Sequence, residues 1–378
     1  MPLDLFVAHT YRNVRRPLLE AEPLPAHCYT DQAFFDREVR TIFLTHWNFV
    51  GRADMLPNPG DYLAFDFVGV PVLLLRARDG VRAFHNICRH RGTPLVQGSG
   101  AGLKSLVCPY HSWAYDLNGR LMAAPGMKKA TGFNLADYGL KPIRVETFQG
   151  FLFINFDDGA KPLANYLGAD FVEEFGSYNF SDLVVTRRKE YDLNCNWKAY
   201  VENAMEEYHV PTVHHASLVE QKCTVVAGKG HWIALHEVHE GTEAILKGDT
   251  TTFPHIPGLK GRADKGTYFA LVQPSTMFGL TRDCMWWLEL HPLAPGRTKL
   301  IVGSCFPKET VARPDFNDVV QRYYKRWDKS IPEDNAISQL QHKGLASPLP
   351  QTGRLAPDEP IVHVFNNWIL DRVLDTAA

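Results

Sequence analysis

No stretch of this chain approaches the roughly 18 consecutive apolar residues that a membrane-spanning helix needs, so a helical channel or transporter is not expected. An excess of one charge is missing as well: 40 Lys+Arg face 42 Asp+Glu across 378 residues, a formal net charge of −2. That balance offers no general attraction for nucleic acid or an anionic membrane surface. Cysteine is sparse and scattered, at Cys28, Cys88, Cys108, Cys195, Cys223, Cys284 and Cys305. An odd count at irregular spacing does not make a disulfide framework; a reducing compartment is expected, with the five cysteines other than Cys88 and Cys108 as small buried apolar residues. The N-terminal MPLDLFVAHTYRNVRRPLLE has no long apolar core behind a basic flank, so no secretory signal is read and a cytoplasmic location is expected. Internal repeats and low-complexity tracts are lacking too. No Gly-x-Gly-x-x-Gly follows a strand, and the glycines at 98, 100 and 102 fall in a turn.

What is present has two styles. Apolar residues at helical spacing (Phe34, Phe35, Val39, Ile42, Phe43) predict a helix over 31–45, capped by Thr30 or Asp31. From Trp47 to about 157, short branched and aromatic segments alternate with turn dipeptides such as Asp79-Gly80, Asn118-Gly119 and Asp158-Gly159, the pattern of an antiparallel all-β module. Beyond it, strands are expected at Val184–Tyr191 and in several runs of 220–305, and helices at 196–209, 314–330, 332–344 and 361–375. The fold class is therefore α+β, divided as a helical segment over 1–45, an all-β domain over 46–157 and an antiparallel sheet flanked by helices over 158–378.

Sixteen histidines are many for this length, and four stand where they invite chemistry. Cys88-Arg89-His90 and Cys108-Pro109-Tyr110-His111 supply one thiolate and one imidazole from each of two loops. Such a set can close around zinc, although zinc pairs commonly begin with two cysteines and end with two histidines. One Cys and one His per loop also suits a Rieske [2Fe–2S] centre, in which thiolates hold one iron and imidazoles the other.

With its CRHRG and CPYHSWAYDLNG motifs the chain resembles the Rieske non-haem iron oxygenases, large (α) subunit, from Phe34 to the final helix. The resemblance implies Cys88 and Cys108 on one iron, His90 and His111 on the other, and Trp113 packed beside the cluster. A second constellation follows the helix that begins Asn196-Trp197-Lys198: His209 and His214 are five apart with Pro211 between them. Helical positions five apart do not share a face, but a proline that distorts the helix lets the second ring swing round. Two histidines and one carboxylate with open positions form the facial triad of oxygen-activating non-haem Fe(II). The family pattern implies His209 and His214 as ligands, with His215 the rival, and an aspartate on a late helix. That aspartate is read as Asp334 in PEDNAISQLQHKG, with Asp328 and Glu333 as alternatives.

In the family the position of Glu206 bridges a histidine of the mononuclear iron to a Rieske histidine of a neighbouring subunit. The resemblance thus implies His209 and the partner's His111 as its two contacts, and a homotrimer. Most ring-hydroxylating members have aspartate there; glutamate resembles the branch that oxidises carnitine, glycine betaine and stachydrine. A terminal oxygenase that hydroxylates or N-dealkylates a quaternary or tertiary amine with O2 is therefore expected, fed by a separate flavin/iron–sulfur reductase. An aromatic-acid or ring hydroxylase is the neighbouring alternative, and a Rieske electron carrier without oxygen chemistry the distant one. Tyr200, Tyr208, Phe278, Trp286 and Trp287 are expected to line the substrate pocket, where aromatic faces would attract a trimethylammonium group. Arg282, Arg262 and Lys247 are candidates for a substrate carboxylate, though each also suits a solvated surface.

Overall fold

The computed structural model of the chain describes residues 5–374. Two compact units emerge: one spans 49–160, and the other combines the residues up to 48 with those from 161 onward. The expected all-β stretch of 46–157 lies largely within the first. The expected N-terminal segment belongs with the second, apart from residues 1–4, which lie outside the described part. Among the described residues, no helix is long and apolar enough to cross a membrane.

The smaller unit is a seven-stranded antiparallel sheet in the order β1-β10-β9-β4-β3-β2-β5, with a second, three-stranded sheet β6-β7-β8. Its strands are β1 (Asn48–Arg52), β2 (Tyr62–Phe67), β3 (Val70–Ala77), β4 (Gly80–His85), β5 (Ser99–Gly100), β6 (Leu106–Val107), β7 (Ala114–Tyr115), β8 (Leu121–Ala123), β9 (Pro142–Phe148) and β10 (Phe151–Asn155). Leu73, Leu75, Phe84, Leu106, Trp113 and Tyr115 form a core that also buries Cys88 and Cys108.

The larger unit is built on a seven-stranded antiparallel sheet, ordered β11-β17-β16-β15-β14-β13-β12. It comprises β11 (Leu183–Leu193), β12 (Cys223–Ala227), β13 (Trp232–Val238), β14 (Gly266–Val272), β15 (Thr276–Leu280), β16 (Met285–Ala294) and β17 (Arg297–Pro307). In-register pairs Leu235↔Phe269, Phe269↔Gly279 and Gly279↔Trp286 run across four strands on one face, while Phe278↔Trp287 and Trp287↔Gly303 occupy the other. Period-two alternation thus separates the two adjacent tryptophans. Each lies over a cross-strand glycine: a Cβ at Gly279 would stand 2.2 Å from the Trp286 ring, and one at Gly303 only 1.9 Å from Trp287.

Helices differ from the sequence expectation in three places. Asp31 caps the first, accepting from the N–H groups of Ala33 and Phe34, but the α-helix ends at Glu38 and a π-turn follows over Val39–Phe43. The second stops at Ala204 instead of running to His209. The two late helices are one, Phe316–Leu345, which passes straight through Pro332. Proline removes one backbone donor there, a loss that the burial of Phe316, Val320, Tyr323, Trp327 and Ile331 outweighs. The last helix is Pro360–Val373; Asp375, its expected end, lies outside the described residues.

A buried ion pair ties the N-terminal segment to the helix Trp197–Ala204. Lys198 Nζ donates to Glu38 Oε1 at 2.6 Å with both side chains fully buried, and Trp197 Nε1 donates to Glu38 Oε2 at 3.1 Å. Asn196 caps that helix through Oδ1 and anchors it through Nδ2 to the carbonyls of Tyr29 and Pro295.

Candidate metal centres

In the small unit, two turns present the Cys and His side chains in the same way. Cys88 N–H donates to Thr93 C=O at 2.9 Å and Gly92 N–H to Cys88 C=O at 2.9 Å. Cys108 repeats this with Trp113 and Ser112, at 2.8 and 3.0 Å. The fifth residue of each turn is left-handed, Gly92 at φ +81° and Ser112 at +57°. Both cysteines are buried and both histidines partly exposed, with ring centroids 4.7 Å apart. Trp113 stacks on His90 at 4.9 Å. Arg89 N–H donates to the Tyr115 hydroxyl at 3.0 Å, and that hydroxyl lies 3.4 Å from Cys88 Sγ.

The arrangement fits an iron–sulfur cluster on its own chemistry. His111 Nδ1 is buried without a hydrogen-bond partner, which is expensive for an imidazole nitrogen unless something electrophilic meets it. The quartet is also not among the donor sets that draw within 4.8 Å of one another, the spacing for a single ion. A two-iron cluster with its sulfides needs the wider frame.

In the large unit, the helix Trp197–Ala204 gives way to a turn, and His209 starts a new helical turn, Val210–Val213, that ends at His214. Pro211 sits in its first turn, where a missing N–H is harmless. The proline therefore begins a helix here; it does not bend one, as the sequence suggested. Thr212 and Val213 N–H both donate to His209 C=O and His214 N–H to Val210 C=O, which holds the two rings with centroids 5.2 Å apart.

The long helix brings Asp334 to them: its Oδ1 lies 2.9 Å from His214 Nε2 and 3.5 Å from His209 Nε2. One ligand-type atom from each of the three lies within 4.8 Å of those of the other two. Behind each ring stands a second carboxylate. His209 Nδ1 is 2.6 Å from Glu206 Oε1, and Glu206 Oε2 also accepts from the His209 backbone N–H. His214 Nδ1 is 2.8 Å from Glu333 Oε2, which accepts from Ser217 Oγ, and Glu333 Oε1 pairs with Lys329. A carboxylate at each nitrogen favours a proton on both; a metal ion taking Nε2 in place of that proton would leave Nδ1–H donating outward to Glu206 and Glu333. Burial opposes a charge on His209, but Asp334 and Glu206 overcome it and raise its pKa to about 9. Burial likewise pushes the Asp334 carboxyl up, and the two histidines more than reverse that. Three such donors, one side open, suit a dication of the Fe(II) type.

The remaining sequence candidates fall elsewhere. His215 is exposed, Asp328 pairs with Arg187 and Lys189, and Glu333 stands behind His214 and not beside the convergence point. A cavity opens at the triad, walled by Leu218, Leu235, Phe269, Trp286, Leu288 and Ile331. Of the expected pocket aromatics only Trp286 lines it. Trp287 and Phe278 point from the opposite face of the sheet, Tyr200 is buried in the core, and Tyr208 is 63% exposed. Arg262 pairs with Glu174, Arg282 reaches His239 C=O, and Lys247 is exposed. Arg326, which sequence reading passed over inside a basic helical stretch, does line the cavity. Of the five cysteines expected to be buried, four are, and Cys223 is only partly so.

Residues 180–375 match the family model "Ring hydroxylating alpha subunit (catalytic domain)", and residues 46–148 match "Rieske [2Fe-2S] domain". The glycine betaine monooxygenase oxygenase subunit of Chromohalobacter salexigens is 27% identical over 93% of this chain and 86% of its own. The carnitine monooxygenase oxygenase subunit of Escherichia coli K12 is 36% identical over 52% of this chain and 53% of its own. A solved structure of a quaternary ammonium Rieske monooxygenase, described for carnitine oxidation and inter-subunit electron transfer, superposes with a TM-score of 0.80 at 25% identity, covering 93% of this chain and 95% of that one.

Proposed function

We propose, starting from a chain that belongs to the ring-hydroxylating alpha-subunit family and is the catalytic subunit of a Rieske non-haem iron oxygenase, that its substrate is a small quaternary or tertiary amine oxidised at a carbon next to nitrogen. The observation that carries the oxygenase chemistry is the triad His209, His214 and Asp334, opening on a cavity with apolar walls. The amine is favoured by the similarity to glycine betaine and carnitine oxygenases, and by glutamate at position 206.

In this reading Cys88, His90, Cys108 and His111 hold the [2Fe–2S] cluster, and His209, His214 and Asp334 hold the mononuclear iron. When bound, the two groups supply electron storage and dioxygen activation. The protein's own part is to set up that chemistry. Glu206 and Glu333 keep the Nδ1 protons of the two imidazoles, so both rings present Nε2 to the metal. Leu218, Leu235, Leu288 and Ile331 exclude water from the C–H bond under attack. Glu206 also borders a wider depression of about 770 Å3, lined by Glu202, Asn203, Ser338 and Glu359. A partner's cluster can approach there, and with it the partner's His111 as the second contact of Glu206. The assembly is then a homotrimer, with electrons arriving from a separate flavin/iron–sulfur reductase.

Hydroxylation of an N-methyl group consumes one O2, two electrons and two protons and releases water; the carbinol then splits to formaldehyde and the demethylated amine. The test is EPR of the reduced, anaerobic protein with nitric oxide, repeated with carnitine, glycine betaine, proline betaine, benzoate and phthalate. A spin-3/2 Fe–NO signal that shifts with the betaines alone, with formaldehyde formed under turnover, is the expected outcome. A shift with the aromatic acids alone would move the substrate to that class. No such signal beside an intact reduced Rieske spectrum would leave an electron carrier.

A further inference from the structure

We propose that Arg326 is a carboxylate anchor in the catalytic cavity, so that the pocket takes small molecules carrying a carboxylate and discriminates against cations that lack one. The inference rests on the oxygenase reading and narrows its substrate class.

Arg326 is 5% exposed and lies on the long helix two turns before Asp334. Its Nε donates to Glu243 C=O at 3.1 Å and its Nη1 to Ser330 Oγ at 3.1 Å. Neither acceptor is charged. Among the described residues no carboxylate oxygen pairs with it, and Nη2 has no acceptor. Nor is Nη2 one of the sealed, partnerless atoms of the interior, and Arg326 is one of the residues that line the cavity. A buried cation without a partner charge is strongly unfavourable, and guanidinium is the group best shaped to take a carboxylate through two parallel N–H bonds. Burial pushes its pKa down, with Glu243, Asp334 and Glu333 offsetting this only in part.

The rest of the cavity wall points the same way. Glu206, the other charged group there besides Asp334, is occupied by the Nδ1–H and backbone N–H of His209. A metal ion at the triad would neutralise Asp334, so Arg326 remains a cationic site with no carboxylate hydrogen-bonded to it. The guanidinium carbon also sits 4.9 Å from the centroid of Trp286 and covers one face of that ring. An aromatic face held by a protein cation is not free to receive a trimethylammonium group, which shifts that role to Phe269. A betaine satisfies both ends: its carboxylate meets Arg326 and its cation avoids it. Choline, with a hydroxyl in place of the carboxylate, leaves Arg326 unpaired and adds repulsion.

The experiment is equilibrium binding to the iron-loaded, reduced, anaerobic oxygenase, read by the Fe–NO signal and by dialysis with labelled ligand. Glycine betaine, choline and benzoate are compared on wild type, Arg326→Gln and Arg326→Lys. Charge-assisted hydrogen bonds of this kind set the scale, about 10- to 100-fold in affinity. Wild type should favour glycine betaine over choline by that factor, and Arg326→Gln should erase the preference, with Arg326→Lys between. The wild-type comparison needs no variant to fold. Equal binding of glycine betaine and choline by wild type would overturn the anchor and leave the amine reading standing. So would a loss in Arg326→Gln that falls alike on both, since that is what a purely structural arginine would do. Binding of benzoate alone, dependent on Arg326, would support the anchor and remove the amine.

Discussion

Between positions 88 and 111 the small unit carries its four ligand-type residues on two turns that close on their own backbones, N–H to C=O at 2.8–3.0 Å. In the large unit His214 and Asp334 are 120 positions apart and meet only because buried side chains hold their elements together: Lys198 on Glu38, Asn196 on Tyr29 and Pro295, Glu333 on His214. A backbone-held site depends on little beyond its own loop. A side-chain-held one inherits every weakness of the contacts behind it.

The sharpest separation should come from the proposed ligands themselves. Asp334→Ala is expected to abolish turnover and release the mononuclear iron while the visible Rieske spectrum persists. Cys108→Ala should bleach that spectrum and leave iron at the triad. Iron and sulfide analysis reads both, and joint loss of the two centres in either variant would mean that they are not held independently. Next in size is Lys198→Met, which strands Glu38 as a buried unpaired charge and should cost about 3–5 kcal/mol in denaturant unfolding of the large unit. A change below about 1 kcal/mol, within the range of an exposed pair, would show that this clamp is not what holds the helix.

That asymmetry also decides what could be read in advance. The quartet was legible because a local turn needs only local residues: Cys, His and a left-handed fifth position. His209 and His214 were legible through the family pattern, since their spacing by itself left His215 open. The partners that orient them were not, because Glu333 reaches His214 from a helix 119 positions away. Pocket aromatics were misjudged for a simpler reason. Trp286 and Trp287 are neighbours in sequence, and only the register with Gly279 and Gly303 tells which one faces the triad. Pro332 suggested a helix end; packing of the apolar stripe on either side overrode it. Arg326 looked like one more basic residue on a solvated helix, and nothing short of its burial distinguishes it from Lys325 or Lys329.

Smaller effects refine the same contrast. Glu333→Gln weakens the hold on His214 without touching a ligand, and should lower iron affinity at the triad about 10- to 100-fold, measured by chelator competition, with the Rieske spectrum unchanged. Last comes pH. Burial, with Arg372 nearby, depresses the pKa values of His46 and His231 in the large unit from 6.5 to about 4. Unfolded chain therefore takes up protons first as pH drops below about 6.5, so this contribution is complete above that value and is lost progressively down to about 4. Thermal melts followed by near-UV circular dichroism should fall over that window, and His231→Phe, which keeps the stacking on Tyr166, should flatten the fall. A pH-independent melt would contradict the assignment.

Arg326, Ser330 and Asp334 recur every four residues along one helix, and all three border the cavity. At 1.5 Å per residue the first and last are about 12 Å apart along the axis. Were one end to grip an acid group and the other to help hold a metal, as proposed, that single rod would become a gauge, and the reach of the two side chains would set where its jaws close. Lengthening a ligand by one methylene at a time would slide successive carbons past the oxidising position, so the site of attack should change stepwise with chain length while the grip on the acid end stays put.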